Sequence, residues 1–300
     1  MARRAVDERR IVILAGAHKT ASSHLQHSLI GAQDSLRDHG VAVIGPKAMR
    51  QDLTPFSQLL RDGMTPEIVT AGANGFLEHY AGQADTVVLM DENILGGTDR
   101  KMLMRKSRLY PWAPRRVSRL LQLFEGHRVE FAMAVRNPAT FLPSCWSESL
   151  HHGRYATFRE FLQDFDPSKG IWSGLIDRIQ AVAPEARLTL WRYEDYEALN
   201  TALYASLLKP DVANLITPDP TIRRPGLSAL AAEWFQAQPN RDKETVQEAR
   251  KRFPKTGPDT AYIPWNEEER VTITRAYDRD IAKLTKRDDV SVLLPVKGGA

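Results

Sequence analysis

The first patterned stretch of the chain is a continuous apolar run over residues 11–14, followed by small and polar residues and then by Leu25, Leu29 and Ile30 at helical spacing. A short run apolar on both faces reads as a buried parallel strand, and the spacing after it as an amphipathic helix. The alternation recurs. Residues 40–46 predict a short second strand ended by Gly45 and Pro46. Residues 50–84 predict two helices, the second carrying Ile68, Phe76, Leu77 and Tyr80 toward the sheet. Residues 86–90 form a β-rich run that predicts a central strand. A basic connector and a helix bearing Val117, Leu120, Leu121 and Phe124 follow, then a strand over 127–135. Pro143 and Ser144 mark the expected start of a helix through Trp146 and Leu150. Short helices are expected over 158–165 and 171–183, and a last strand over 188–191.

Strand alternating with helix predicts an α/β fold of three layers, a parallel sheet with helices on both faces. Beyond residue 200 the pattern turns helical, with helices near 227–237, 240–252 and 266–285 separated by Pro254 and Pro258. The tail 287–300 is weakly patterned, and its end, Lys297 to Ala300, reads as mobile. The expected organisation is one domain over 1–300, with an α/β core over 10–200 and a mainly helical part over 201–290.

Composition narrows this picture only a little. The chain has 300 residues, 42% hydrophobic and 26% charged, enough to bury a proper core. Its net charge of +4 suits an anionic ligand but is too small and dispersed to argue for nucleic acid. The single cysteine, Cys145, excludes an internal disulfide and fits a reducing compartment. No apolar run reaches the length of a membrane span, and the basic N-terminus lacks the apolar region of a signal peptide. The expected location is cytoplasmic.

Three clusters carry candidate chemistry. The turn after the first strand holds Gly16, His18, Lys19, Thr20, Ala21, Ser22 and Ser23, just before a helix. Amides at a helix N-terminus, a lysine and several hydroxyls suit a phosphate or sulfate ester. The phosphate loop G-x-x-x-x-G-K-[ST] fits badly, because Ile13 and His18 stand at its glycine positions. Asp91, Glu92 and Asn93 end the 86–90 strand, where open α/β sheets place their ligands. Arg136, Asn137 and Pro138 end the 127–135 strand, and Ser144 follows; the arginine fork and the serine could grip one dianion. Two anion sites on neighbouring strands imply a ligand with two anionic groups. His24, His27, His151, His152, Trp172, Trp191, Trp234 and Cys145 read more simply as surface or packing residues.

These residues resemble the sulfotransferases that use 3′-phosphoadenosine 5′-phosphosulfate, especially bacterial members. Ala17 to Gln26 is similar to their 5′-phosphosulfate loop, H-K-T-G-[ST]-[ST]-x-L-Q, with Ala21 where the family has glycine. Arg136 and Ser144 match the spacing of their 3′-phosphate motif. Tyr193, Glu194 and Asp195 resemble a recurrent Y-E-D, and Arg224 to Ser228 the late loop that closes on the nucleotide. The resemblance implies a nucleotide-kinase-like sulfotransferase fold and sulfuryl transfer from that donor, without metal, to a hydroxyl or amine. Lys19 and Glu92 would be catalytic. His18, Lys19, Thr20, Ala21, Ser22, Ser23, Arg136, Ser144 and Arg224 would bind the nucleotide. Asp91 and a histidine stay open as alternative bases.

The competing readings are an ATP-dependent kinase or ATPase, with residues 87–92 as its apolar strand ending in Asp-Glu, and an inactive nucleotide-binding relative. The expected partner is a small-molecule, glycan or lipid-head-group acceptor, with its pocket over 46–66, 96–116 and 240–265. Neither the acceptor's identity nor the oligomeric state is readable from the sequence.

Overall fold

The structure, a computed structural model, describes residues 8–51, 65–219, 226–257 and 260–295. Six strands form one sheet: β1 (Arg10–Leu14), β2 (Val41–Ile44), β3 (Thr86–Met90), β6 (Arg128–Val135), β7 (Arg187–Arg192) and β8 (Val290–Leu293). Their order is β2-β3-β1-β6-β7-β8, and every neighbouring pair is parallel. Between β3 and β6 a small antiparallel ribbon pairs β4 (Met104–Arg105) with β5 (Arg108–Leu109).

Both sheet faces are covered, which is why β1 and β3 read as unbroken apolar runs. Ile11, Ile13, Val87, Leu89, Phe131 and Met133 face one core. That core is closed by helices Pro66–Ala81, Ala113–Leu123, Pro138–His151, Ile171–Gln180 and Glu267–Thr285. Val12, Leu14, Val88, Met90, Ala132 and Ala134 face the other. Helices Ser22–Gly31 and Tyr196–Leu207 pack there. The helices after β1 and β6 therefore lie on opposite faces. The chain order reverses between these adjacent strands, and such a switch point opens a crevice at the carboxyl ends.

Two elements differ from the sequence reading. The weakly patterned tail holds a sixth strand, Val290–Leu293, with Leu188 opposite Val290 and Trp191 opposite Leu293; the end expected to be mobile, 297–300, lies outside the described residues. The helix expected to start at Ser144 starts at Pro138, with Asn137 as N-cap accepting the Ala139 N–H at 3.0 Å. Pro143 lies inside it, and a proline there frees the carbonyl four residues back. That carbonyl, of Ala139, accepts the Trp265 indole N–H at 2.8 Å, so the helix continues. The first helix expected over 50–84 falls largely outside the described residues. Among the described residues no helix is long and apolar enough to cross a membrane.

Candidate active site

The loop after β1 is shaped by close approach and by left-handed backbone. Gly16 lies so near the start of helix Ser22–Gly31 that a Cβ on it would meet the Ser22 Cβ at 3.3 Å. Lys19 and Ala21 have φ of 61° and 62°, flanking Thr20. Non-glycine residues there store on the order of 1–2 kcal/mol each, and such turns point successive N–H groups into an anion-sized concavity. Ala21 thus adopts the backbone that glycine would favour at this position. It is the N-cap of the helix but offers no side-chain cap, so the first-turn amides lack one. Ser22 and Ser23 are half-buried, and their hydroxyls make no hydrogen bond among the described residues.

Two of the expected nucleotide ligands are spent on holding this loop. The Thr20 hydroxyl donates to the Ala17 carbonyl at 2.5 Å and is buried. The His18 side chain is buried between Tyr110 and Asn93. Tyr110 Oη accepts the His18 backbone N–H at 3.0 Å and lies 2.9 Å from Nδ1; Nε2 lies 3.2 Å from Asn93 Oδ1. The network assigns one tautomer, Nε2–H donating to Asn93 and Nδ1 accepting from Tyr110. Burial pushes this imidazole below its ordinary value, against smaller upward pulls from Glu92, Asn93, Asp91 and Glu148.

That shift has a sign in stability. A histidine depressed in the folded state stabilises fully above the unfolded value, about 6.5, and the contribution is lost as pH falls through the folded value. Urea denaturation of the native chain should lose midpoint faster between pH 7 and pH 5 than that of His18→Gln. His127 and His151, also depressed chiefly by burial, are common to both proteins and cancel. Parallel pH profiles would mean that His18 is not held neutral.

Arg136 joins the two anion motifs. Its Nη1 donates to the Lys19 carbonyl at 2.6 Å and its Nε to Thr140 Oγ1 at 3.0 Å. Its guanidinium lies 4.3 Å above the Tyr193 ring. The Arg136 carbonyl accepts the Trp172 indole N–H at 2.9 Å. Glu194 accepts the Asn137 N–H at 2.8 Å and the Tyr277 hydroxyl at 2.9 Å. The residues 193–195 therefore brace the turn that carries Arg136. Ser144 is half-buried, two turns into its helix, and its hydroxyl has no partner among the described residues. It offers a hydroxyl but no helix N-terminus.

At the end of β3 the two carboxylates part company. Asp91 is buried; Arg50 grips both its oxygens, and its Oδ1 also accepts the Asn93 N–H at 2.8 Å. Glu92 is a third exposed, with one oxygen 3.9 Å from Arg50. Adjacent residues leaving a strand point to opposite sides, and here one locks the turn while the other stays accessible.

The site also contains charges that the sequence reading passed over. Glu148, one turn after Ser144 on the same helix, accepts from Lys19 Nζ at 3.1 Å. Burial pulls its carboxyl upward, but Lys19, His151 and His152 outweigh that and hold it low. Lys255 is pushed down by burial and by the nearby charges of Arg136 and Lys19. The Cys145 thiol, pushed up to about 12 chiefly by burial, feels Arg136, Lys19, Glu148 and Glu92 together. Helical spacing after Ser144 was the available signal for Glu148; nothing local marked Lys255. Arg224 lies outside the described residues, but just after it the Leu227 N–H donates to Ser147 Oγ at 2.9 Å.

No family model matches the chain, and no curated protein does. Among solved structures, a sulfotransferase from Alicyclobacillus acidocaldarius aligns with a TM-score of 0.43 and 12% identity, covering 73% of this chain and 87% of that one. That likeness is too distant to carry a function, which rests on the side chains themselves.

Proposed function

We propose that the chain transfers a sulfuryl group from 3′-phosphoadenosine 5′-phosphosulfate to a hydroxyl or amine of an acceptor. The observation that carries this reading is the chain of contacts that joins the two anion motifs beside the switch point: Arg136 holds the Lys19 carbonyl at 2.6 Å, and Lys19 Nζ pairs with Glu148 at 3.1 Å. The donor set fits a doubly anionic nucleotide. Lys19, Ser22, Ser23 and the uncapped amides of the first helix would hold the 5′ end. Arg136 and Ser144 would hold the 3′-phosphate. The donor supplies an activated sulfuryl group, and the reaction needs in-line positioning and charge stabilisation more than covalent catalysis.

Lys19 neutralises charge on the phosphate oxygen as the sulfur–oxygen bond to it breaks and its electron pair departs with the nucleotide. Glu92 takes the acceptor proton as the new oxygen–sulfur bond forms. Glu148 holds Lys19 until the donor competes for it. The ATP-dependent alternative would hold magnesium on the Asp-Glu pair that ends β3, and there Arg50 already occupies both oxygens of Asp91, leaving Glu92 alone.

A labelled-donor transfer assay over a panel of hydroxyl and amine acceptors tests the reading. Within it, Lys19→Ala should lose transfer far more than it loses affinity for 3′-phosphoadenosine 5′-phosphate, because the charge it meets grows in the transition state. Equal losses in both would make Lys19 a binding residue only.

A further inference from the structure

Near the site, one edge of the Arg250 guanidinium is buried and makes no hydrogen bond among the described residues. Arg250 lies on helix Lys243–Arg252, whose Val246 and Ala249 are buried in the core. Its Nε and Nη2 are buried and make no hydrogen bond among the described residues. These two nitrogens form one edge of the guanidinium, the edge that receives two oxygens of a carboxylate, phosphate or sulfate side by side. Leaving such donors buried and unmet is costly, so an edge of this kind is a candidate receiver for an anion. Helix Lys243–Arg252 packs against helix Pro138–His151, and on that helix Glu148, the charged group that bears on Arg250, is already committed to Lys19 at 3.1 Å. Arg250 in turn bears on His151, one turn beyond Glu148.

The order along helix Pro138–His151 gives such an anion its place. Arg136 precedes the helix, Ser144 is two turns in, and Glu148 with Lys19 and then His151 with Arg250 follow. The nucleotide grips occupy the first part of this line, and Arg250 stands past Lys19 at its far end. We propose that the acceptor itself carries an anionic group, a carboxylate, phosphate or sulfate, received by the Nε–Nη2 edge of Arg250. This rests on the sulfuryl-transfer reading and names the substrate class for it.

Inorganic phosphate is the probe. Protein saturated with 3′-phosphoadenosine 5′-phosphate is titrated with phosphate and followed by thermal shift, each protein against its own baseline in chloride at matched ionic strength. The native chain should show a saturable rise. Arg250→Gln should lose at least tenfold in apparent phosphate affinity, with Arg250→Lys restoring part of it. Both variants should bind 3′-phosphoadenosine 5′-phosphate and 3′-phosphoadenosine 5′-phosphosulfate as the native chain does. Equal phosphate responses in native and Gln proteins overturn the proposal. Weakened binding of either nucleotide overturns it too, since Arg250 would then serve the donor. If the nucleotides fail to bind the native chain, the donor reading falls separately. Phosphate titration of the free protein then decides the Arg250 site, with loss in the Gln variant supporting it and equal responses overturning it.

Discussion

Arg136→Ala should weaken binding of 3′-phosphoadenosine 5′-phosphate by about 2–5 kcal/mol, the range for truncating one partner of a desolvated charge pair. The structure adds a second, smaller effect. Arg136 also holds the Lys19 carbonyl at 2.6 Å, so the variant loosens the 5′ loop. Adenosine 5′-phosphosulfate, which lacks the 3′-phosphate, reads that effect alone, and its loss should be about 1 kcal/mol, the net value of one hydrogen bond. The gap between the two ligands is the direct contribution to the 3′-phosphate. Arg136→Lys keeps a charge but cannot reach Lys19 and Thr140 with one fork, so it should recover only part of that gap. Isothermal calorimetry on the three proteins and two ligands measures all of this. Equal losses for both ligands would make Arg136 a brace for the loop and remove it from the nucleotide site.

Glu92→Gln should retain nucleotide affinity and lose about 10²–10⁴-fold in turnover, the usual share of a positioned base. The substitution is nearly isosteric, and among the described residues Glu92 makes only a long contact of 3.9 Å to Arg50, so little structure depends on it. Asp91→Asn is the control with the opposite signature. It breaks the grip of Arg50 and the turn to Asn93, so it should lower stability as well as activity. Glu148→Gln separates the remaining carboxylate. It frees Lys19 and should change donor affinity, because Lys19 no longer has to leave an ion pair. Turnover that survives in Glu92→Gln and collapses in Glu148→Gln at saturating donor would transfer the role of base to Glu148.

The parallel sheet was legible because its central strands are apolar on both faces. β1 and β3 announce themselves in five residues each. β8 did not, because it is a four-residue edge strand with three half-buried positions, and its order comes from pairing with β7 about a hundred residues earlier. Pro143 read as a helix start for a sound local reason. The compensating indole of Trp265 is 126 residues from the carbonyl it satisfies, a distance no local pattern spans. The site shows the same division. Its loops and the Arg136 turn were visible as short motifs at strand ends. The commitment of His18 was not, since Tyr110 reaches it from just beyond the β4–β5 ribbon. Glu148 could have been read from its helical spacing after Ser144, but Arg250 and Lys255 come from the late part of the chain through packing, which leaves no spacing to read.

Calorimetric titration with 3′-phosphoadenosine 5′-phosphate in the presence of a chelator, beside ATP with magnesium, tests the central claim most directly. The contact between Arg136 and the Lys19 loop at the switch point predicts one-to-one binding of the 3′-phosphorylated nucleotide without metal, and much weaker binding of ATP. Tight magnesium-dependent binding of ATP, with no heat from the 3′-phosphorylated nucleotide at high concentration, would contradict it.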